Sequence, residues 1–341
     1  MNRTSYVVLA VVVAACGDDH AGPIDAAPHP KDVAPSPDVA MPDAPPADPV
    51  TLTLGGATTP VHDPSIAYVD GLYMVFSTGT GLPVRTSVDL INWSLAGQVF
   101  ATAPSWISTN GSTNDLWAPD ISNFGGTYHL YYAASSFGSN TSCIGHATSA
   151  SPTSGSWTDQ GAVICSTSTD NWNAIDPAAF VDTSGNAWLA FGSFWSGLKL
   201  IPLNPDGTRA GTEMISLATR NDTAVEAPFV VHHGGYYYLF ESVGRCCQGV
   251  NSTYKVLVGR STEVRGPYLD DQGVALLAGG GKLVVDADAQ WKGPGHNAVL
   301  TTSTDTYNVY HSYDAAASGT PTLRISQMRW SADGWPISAG P

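Results

Sequence analysis

HDPSIAYVDGLYMVFSTG (residues 62–79), WAPDISNFGGTYHLYYAAS (117–135), IDPAAFVDTSGNAWLAFGS (175–193), VEAPFVVHHGGYYYLFES (225–242) and GHNAVLTTSTDTYNVYHSY (295–313) are variations on one theme. Each opens on a polar or charged residue beside Pro or Asn. An apolar strand follows, then a short turn, usually with Gly, then an aromatic-rich strand. A second theme comes after it: a short alternating strand, a polar turn, and often Trp and Gly, as in VRTSVDLINWSLAG (84–97) and LRISQMRWSADGWP (323–336). Together they make about four strands per unit, and the units start 50 to 70 residues apart. Four-stranded units repeated at that period predict the blades of an all-β propeller, five of them between residues 51 and 341. No stretch sustains the 3.6-residue apolar period of a helix. The competing all-β architecture, a long sandwich, needs no fivefold repetition.

In a propeller the first strand of each blade runs along the central axis, so residues far apart in sequence converge there. The first theme brings Asp63, Asp176, Glu226 and His296 to that end of blades 1, 3, 4 and 5, and blade 2 offers Trp117 and Asp120. One Asp at the start of a strand is usually a turn residue. Three acids at related positions are harder to assign to turns, because clustered like charges destabilise one another.

Composition narrows the class. The chain of 341 residues is 43% apolar and only 13% charged, with a formal net charge of −15. Such a surface repels nucleic acid and anionic membranes but not a neutral polymer. Glu occurs only at 213, 226, 241 and 263, so a role for Glu has few candidates. MNRTSYVVLAVVVAAC (1–16) has one early positive charge and an apolar run too short to span a bilayer, the form of an export signal. Val13-Ala14-Ala15-Cys16 resembles a bacterial lipobox, with Cys16 as the lipid anchor; an ordinary signal peptide is the alternative. Two or three acyl chains would hold stably to a membrane, the outer membrane or cell surface being favoured. Residues 17–50, rich in Pro, Ala and Asp, cannot bury enough surface to fold and read as a stiff spacer. In an exported chain Cys143 and Cys165 can pair across neighbouring strands, and Cys246 and Cys247 are adjacent.

Nine motifs in this order resemble glycoside hydrolase family 43, and within it the endo-α-1,5-L-arabinanases. They are VHDPSI (61–66), LWAPDIS (116–122), SSFGSNTS (135–142), NAIDPAAFVD (173–182), FGSFWSGLKL (191–200), VEAPFVV (225–231), CCQGVNSTYKVLVGRS (246–261), GPGHNAV (293–299) and TLRI (322–325). Ala298 departs from the Ser of many relatives, at a position matching no catalytic residue, and the family xylosidases' extra sandwich is not seen. The resemblance implies an inverting enzyme acting inside arabinan, as a monomer, with an exo-acting arabinofuranosidase or a non-catalytic glycan-binding lipoprotein as alternatives. It implies Asp63 as general base, Glu226 as general acid and Asp176 as the carboxylate that tunes the acid. An inverting pair stands about 6.5–9.5 Å apart, to leave room for water. Sugar contacts fall to Trp117, Gly138, Asn173, Ala174, Ile175, Ser193, Phe194 and Trp195. His296 is placed beside a Ca²⁺ whose other ligands are mostly water; calcium prefers oxygen, and no oxygen-rich loop stands out.

Overall fold

The computed structural model describes residues 48–341 apart from 111–114 and 222. The leader with Cys16, and the spacer up to residue 47, lie outside the described residues. The described residues form five separate sheets, each built on four antiparallel strands in chain order, as the repeats predict. Their innermost strands are Ser65–Val69, Asp115–Phe124, Ala178–Val181, Val225–His233 and Trp291–Thr301. Outside them run the aromatic-rich partners, such as Thr127–Ala134 and Tyr236–Val243. The helical turns among the described residues are all short and 3-10.

Five apolar cores hold the blades together, one at each joint. Phe76, Leu82 and Leu116 pack with Leu130 and Tyr132 between blades 1 and 2. Tyr131 and Ile144 meet Leu189 and Phe191 between blades 2 and 3. Leu198 and Leu200 meet Val225 and Leu239 between 3 and 4. Phe240 and Val258 meet Tyr310 and Met328 between 4 and 5. Val309 and Leu323 meet Val75 and Trp93 between 5 and 1. Each blade is therefore covered on both faces. That is why strands such as Ala187–Phe191 are buried along their whole length and do not alternate.

Two features were not legible in the repeats. The outer strand of blade 4 is Lys282–Val285, well beyond the blade's third strand, Lys255–Ser261. The intervening chain folds back on Arg260 through Leu269 and makes the turn Leu276–Ala278. The other feature is the closure of the ring. The N–H groups of Leu52 and Val61 donate to the carbonyls of Ile325 and Pro321, and Gln327 N–H donates to the carbonyl of Val50. Gly55 and Gly56 pair with Asn92 and Trp93 at the outer edge of blade 1. The segment before blade 1 thus adds to blade 5 and then to blade 1. Cys143 and Cys165 face each other on neighbouring strands of blade 2 and are joined, and Cys246 is joined to Cys247.

Candidate active site

One residue near the start of each inner strand has left-handed backbone: Asp63 (φ 49°), Ala118 (45°), Asp176 (56°), Ala227 (54°) and His296 (53°). Positive φ is uncommon outside glycine and is held only where surroundings over-determine it. Here the surroundings are the neighbouring blades. Asp63 N–H donates to His311 Nδ1 of blade 5 at 3.1 Å, and Ala118 N–H to Thr78 Oγ1 of blade 1 at 2.8 Å. Ala227 N–H donates to Asp176 Oδ2 of blade 3 at 3.1 Å, and His296 N–H to Ser242 Oγ of blade 4 at 2.9 Å. Four of the five kinks are thus pinned to the blade before them.

Aligned on these kinks, Glu226 is one residue out of step with Asp63 and Asp176. It shares the preceding position with His62, Trp117, Ile175 and Gly295. The motifs had suggested equivalent positions for all three acids; the backbone shows two successive ones. Blade 5 needs Gly there, since a Cβ on Gly295 would lie 1.9 Å from the Tyr254 ring. Asp120 is corrected too. It lies two residues past the kink, where its oxygens accept from Ser65 Oγ at 3.2 Å and Ala179 N–H at 2.8 Å. It ties blades 1, 2 and 3 together and does not line the cavity.

That cavity, of about 1000 Å³, is lined by Asp63, Asp176, Glu226 and His296. Trp117, Gly138, Asn173, Ile175, Ser193, Phe194 and Trp195 also line it, as expected. Ala174 does not: it is fully buried in the core between blades 2 and 3, and its N–H donates to Ser166 Oγ. Sequence reasoning missed His62, Thr78, Phe137, Tyr254 and the Cys246–Cys247 pair, all of them lining the cavity. His62, Phe137, Tyr254 and both cysteines lie inside the quoted motifs, and Thr78 inside the first repeat, but none was read as part of the site. Phe137, 81% exposed, leans edge-on against Trp117.

The electrostatics separate the acids. Burial pushes the Asp63 carboxyl up, but His62 and His296 outweigh it and hold it well below the usual range. Its Oδ2 accepts from Thr78 Oγ1 at 2.6 Å and lies 2.8 Å from His62 Nδ1, and its Oδ1 lies 3.1 Å from His296 Nδ1. Glu226 is pushed the other way, chiefly by burial and further by the Asp63 charge. Hydrogen bonds from Ser193 Oγ, at 2.6 Å, and Tyr254 offset only part of this. Asp176 is pushed up to about 8 by burial and by the charges of Glu226 and Asp63, against the pull of His296. Asp176 was expected to tune Glu226; both rise, and their protons belong to the pair. One acid is prepared to accept a proton and another to donate one, in one pocket.

A scan for known families matches residues 57–336 to the family described as Glycosyl hydrolases family 43. The chain belongs to that family. This family 43 glycoside hydrolase is 45% identical over 291 residues to the extracellular endo-alpha-(1->5)-L-arabinanase 1 of Bacillus subtilis, covering 83% of this chain and 88% of that protein. It is 40% identical over 306 residues to an extracellular exo-alpha-(1->5)-L-arabinofuranosidase of Cellvibrio japonicus, covering 84% of this chain and 88% of the other. Among solved structures it superposes on the GH43 endo-arabinanase of Bacillus licheniformis with a TM-score of 0.80 at 45% identity, over 84% of this chain and 99% of that one. The Cellvibrio cellulosa alpha-L-arabinanase complexed with arabinohexaose gives 0.80 at 40% identity, over 83% and 96%.

The donor set limits what metal the family 43 site can hold. Among the described residues one group has metal-ligand spacing, His62, Asp63 and His311. His311 Nδ1 there accepts the Asp63 N–H, and His62 Nδ1 faces the carboxylate, so neither ring nitrogen is free. At His296, Nδ1 is engaged with Asp63, which leaves Nε2 as the ring atom for a cation. An imidazolium has no lone pair for that purpose, so a cation on Nε2 and a doubly protonated His296 exclude each other. The neighbouring carboxylates suit a positive ion, but most of a calcium shell there would be water.

Proposed function

We propose that this enzyme hydrolyses internal α-1,5-linked L-arabinofuranosyl bonds of arabinan with inversion. Asp63 takes a proton from water, whose oxygen attacks the anomeric carbon from one face. Glu226 gives its proton to the departing glycosidic oxygen on the other. Asp176 tunes Glu226 by sharing the pair's proton. The observation that carries this reading is the opposed setting of the acids: Asp63 is held ionised while Glu226 and Asp176 are pushed up. Oxygen attack needs a base charged at neutral pH, and leaving-group departure needs an acid still protonated there.

The walls suit a neutral sugar. Trp117, Phe194 and Trp195 offer ring faces or edges. Asn173 Oδ1 is buried without a hydrogen-bond partner, an acceptor placed for a sugar hydroxyl. Phe194 N–H donates to the Val225 carbonyl at 3.0 Å, which holds the GSFW turn across from Glu226. A Ca²⁺ belongs to the reading: with His296 protonated on Nδ1 alone, Nε2 and water would hold the ion, whose positive charge would stand in for that of the imidazolium beside the acids. Metal analysis and loss of activity in EDTA support it; full activity with no bound metal removes it. Both named relatives are called extracellular, which supports export of this chain. The Cys16 anchor is tested by labelling with a fatty-acid analogue and by Cys16→Ser.

The decisive experiment is product analysis on linear debranched arabinan, with an aryl α-L-arabinofuranoside in parallel. Mixed oligosaccharides released early, a fast fall in viscosity and a β-configured first product support the reading. The exo-acting relative at 40% identity makes the second outcome specific: arabinose or one short product alone marks an exo enzyme. Binding without cleavage marks a glycan-holding protein.

A further inference from the structure

The CCQGV stretch beside the cavity has no part in the chemistry above, yet it ends on the base. Cys247 has left-handed backbone (φ 64°), and its N–H donates to Tyr313 Oη at 2.8 Å. On the same stretch the Ser252 hydroxyl oxygen accepts the Gln248 N–H at 3.0 Å. Tyr313 Oη stands 2.7 Å from His62 Nε2, and His62 Nδ1 stands 2.8 Å from Asp63 Oδ2.

Donor counting gives this chain a direction. A backbone N–H can only donate. Cys247 N–H fills one lone pair of Tyr313 Oη. Of the two groups hydrogen-bonded to that oxygen only His62 Nε2 can accept, so the phenolic hydrogen goes there. The proton of His62 lies on Nδ1, aimed at the carboxylate. The ring itself is clamped by His311, stacked on it at 3.9 Å between centroids.

We infer that the Cys246–Cys247 turn and Tyr313 are positioning elements for catalysis, which fix His62 as the Nδ1–H tautomer and so orient the Asp63 carboxylate towards its water. The inference rests on the proposed role of Asp63 as base. Tyr313 and the two cysteines touch no reacting atom in this scheme. They act through His62, whose other tautomer would turn a lone pair on the carboxylate and repel it. Joining Cys246 to Cys247 holds the turn in the backbone state that points the Cys247 N–H at the phenol.

The test has a spectroscopic arm and a kinetic arm. In protein labelled with ¹⁵N-histidine, long-range ¹H–¹⁵N spectra report each ring's tautomer, and His62→Gln assigns the His62 signals. The wild type is expected to show the Nδ1–H form, and Tyr313→Phe a mixture with Nε2–H. On arabinan, Tyr313→Phe is expected to lower kcat roughly ten- to hundredfold through misplacement of the base, with KM within about twofold of wild type. Opening the Cys246–Cys247 bond with a phosphine should lower wild-type kcat in the same way and add little in Tyr313→Phe, since both act on one chain of contacts. An Nε2–H tautomer in the wild type overturns the inference. So does an unchanged kcat in Tyr313→Phe, or a kcat loss matched by a rise in KM and a fall in melting temperature. A wild type inactive on arabinan would count against the proposed function, and the tautomer spectra would still decide the relay.

Discussion

At the scale of single residues the site depends on where protons rest. In the proposed mechanism Asp63→Asn keeps the shape but loses the charge that accepts the water's proton, and Glu226→Gln loses the proton donor. Each is expected to lower kcat by about 10²–10⁴-fold with melting temperature unchanged or raised, checked by initial rates and thermal unfolding. A fall in melting temperature in step with activity would instead mark a structural role. Asp63, Asp176 and Glu226 were legible because their motifs are short and rich in acid. The one-residue offset of Glu226 was not, since it follows from the sign of φ at Ala227 (54°), which the letters EAP do not reveal. Ala174 was misread for a similar reason: it lies between two cavity residues, Asn173 and Ile175, but its own side chain faces the core.

At the scale of elements, the kinked inner strands do the positioning. Gly295→Ala places a methyl 1.9 Å from the Tyr254 ring, which contacts Glu226. The expected cost is about 1–3 kcal/mol of stability, together with a fall in kcat as Tyr254 is driven from the acid; unfolding curves and rates check both. Asp120 gives a pH signature. Burial pushes its carboxyl up to about 7 in the folded chain, against 3.8 for a free one. The folded state therefore binds more protons than the unfolded one between those values, so this contribution to stability is full below pH 3.8 and is lost as pH rises through about 7. Asp120→Asn can still accept from one neighbour and donate to the other, and should flatten the decline in melting temperature over that window. An unaltered slope would place the effect elsewhere. Strand pairs such as Thr127–Ala134 with Ser142–Ser149 were legible from their aromatic and alternating patterns. The late outer strand of blade 4 was not, because its four residues, KLVV, carry too little pattern to be told from a loop.

At the scale of the whole molecule, five repeats made the ring legible, whereas its closure was not, because Val50–Val61 resembles no blade. Removing residues 48–58 would strip the partners from Leu323, Ile325 and Gln327 and bare a strand edge. The expected result is a melting temperature lower by ten degrees or more and a tendency to associate through that edge, measured by calorimetry and light scattering. An unchanged protein would mean that Pro336–Ser338 suffices to close blade 5. The five cores have a mechanical consequence as well. Each is shared by two blades, like the joint between staves in a hooped cask. No stave can leave without opening two joints, and in a closed hoop no stave is the last. Fraying, which begins at the ends of open repeat arrays, has nowhere to start, so Glu226 on the fourth stave and Asp63 on the first keep their spacing until the whole vessel gives way.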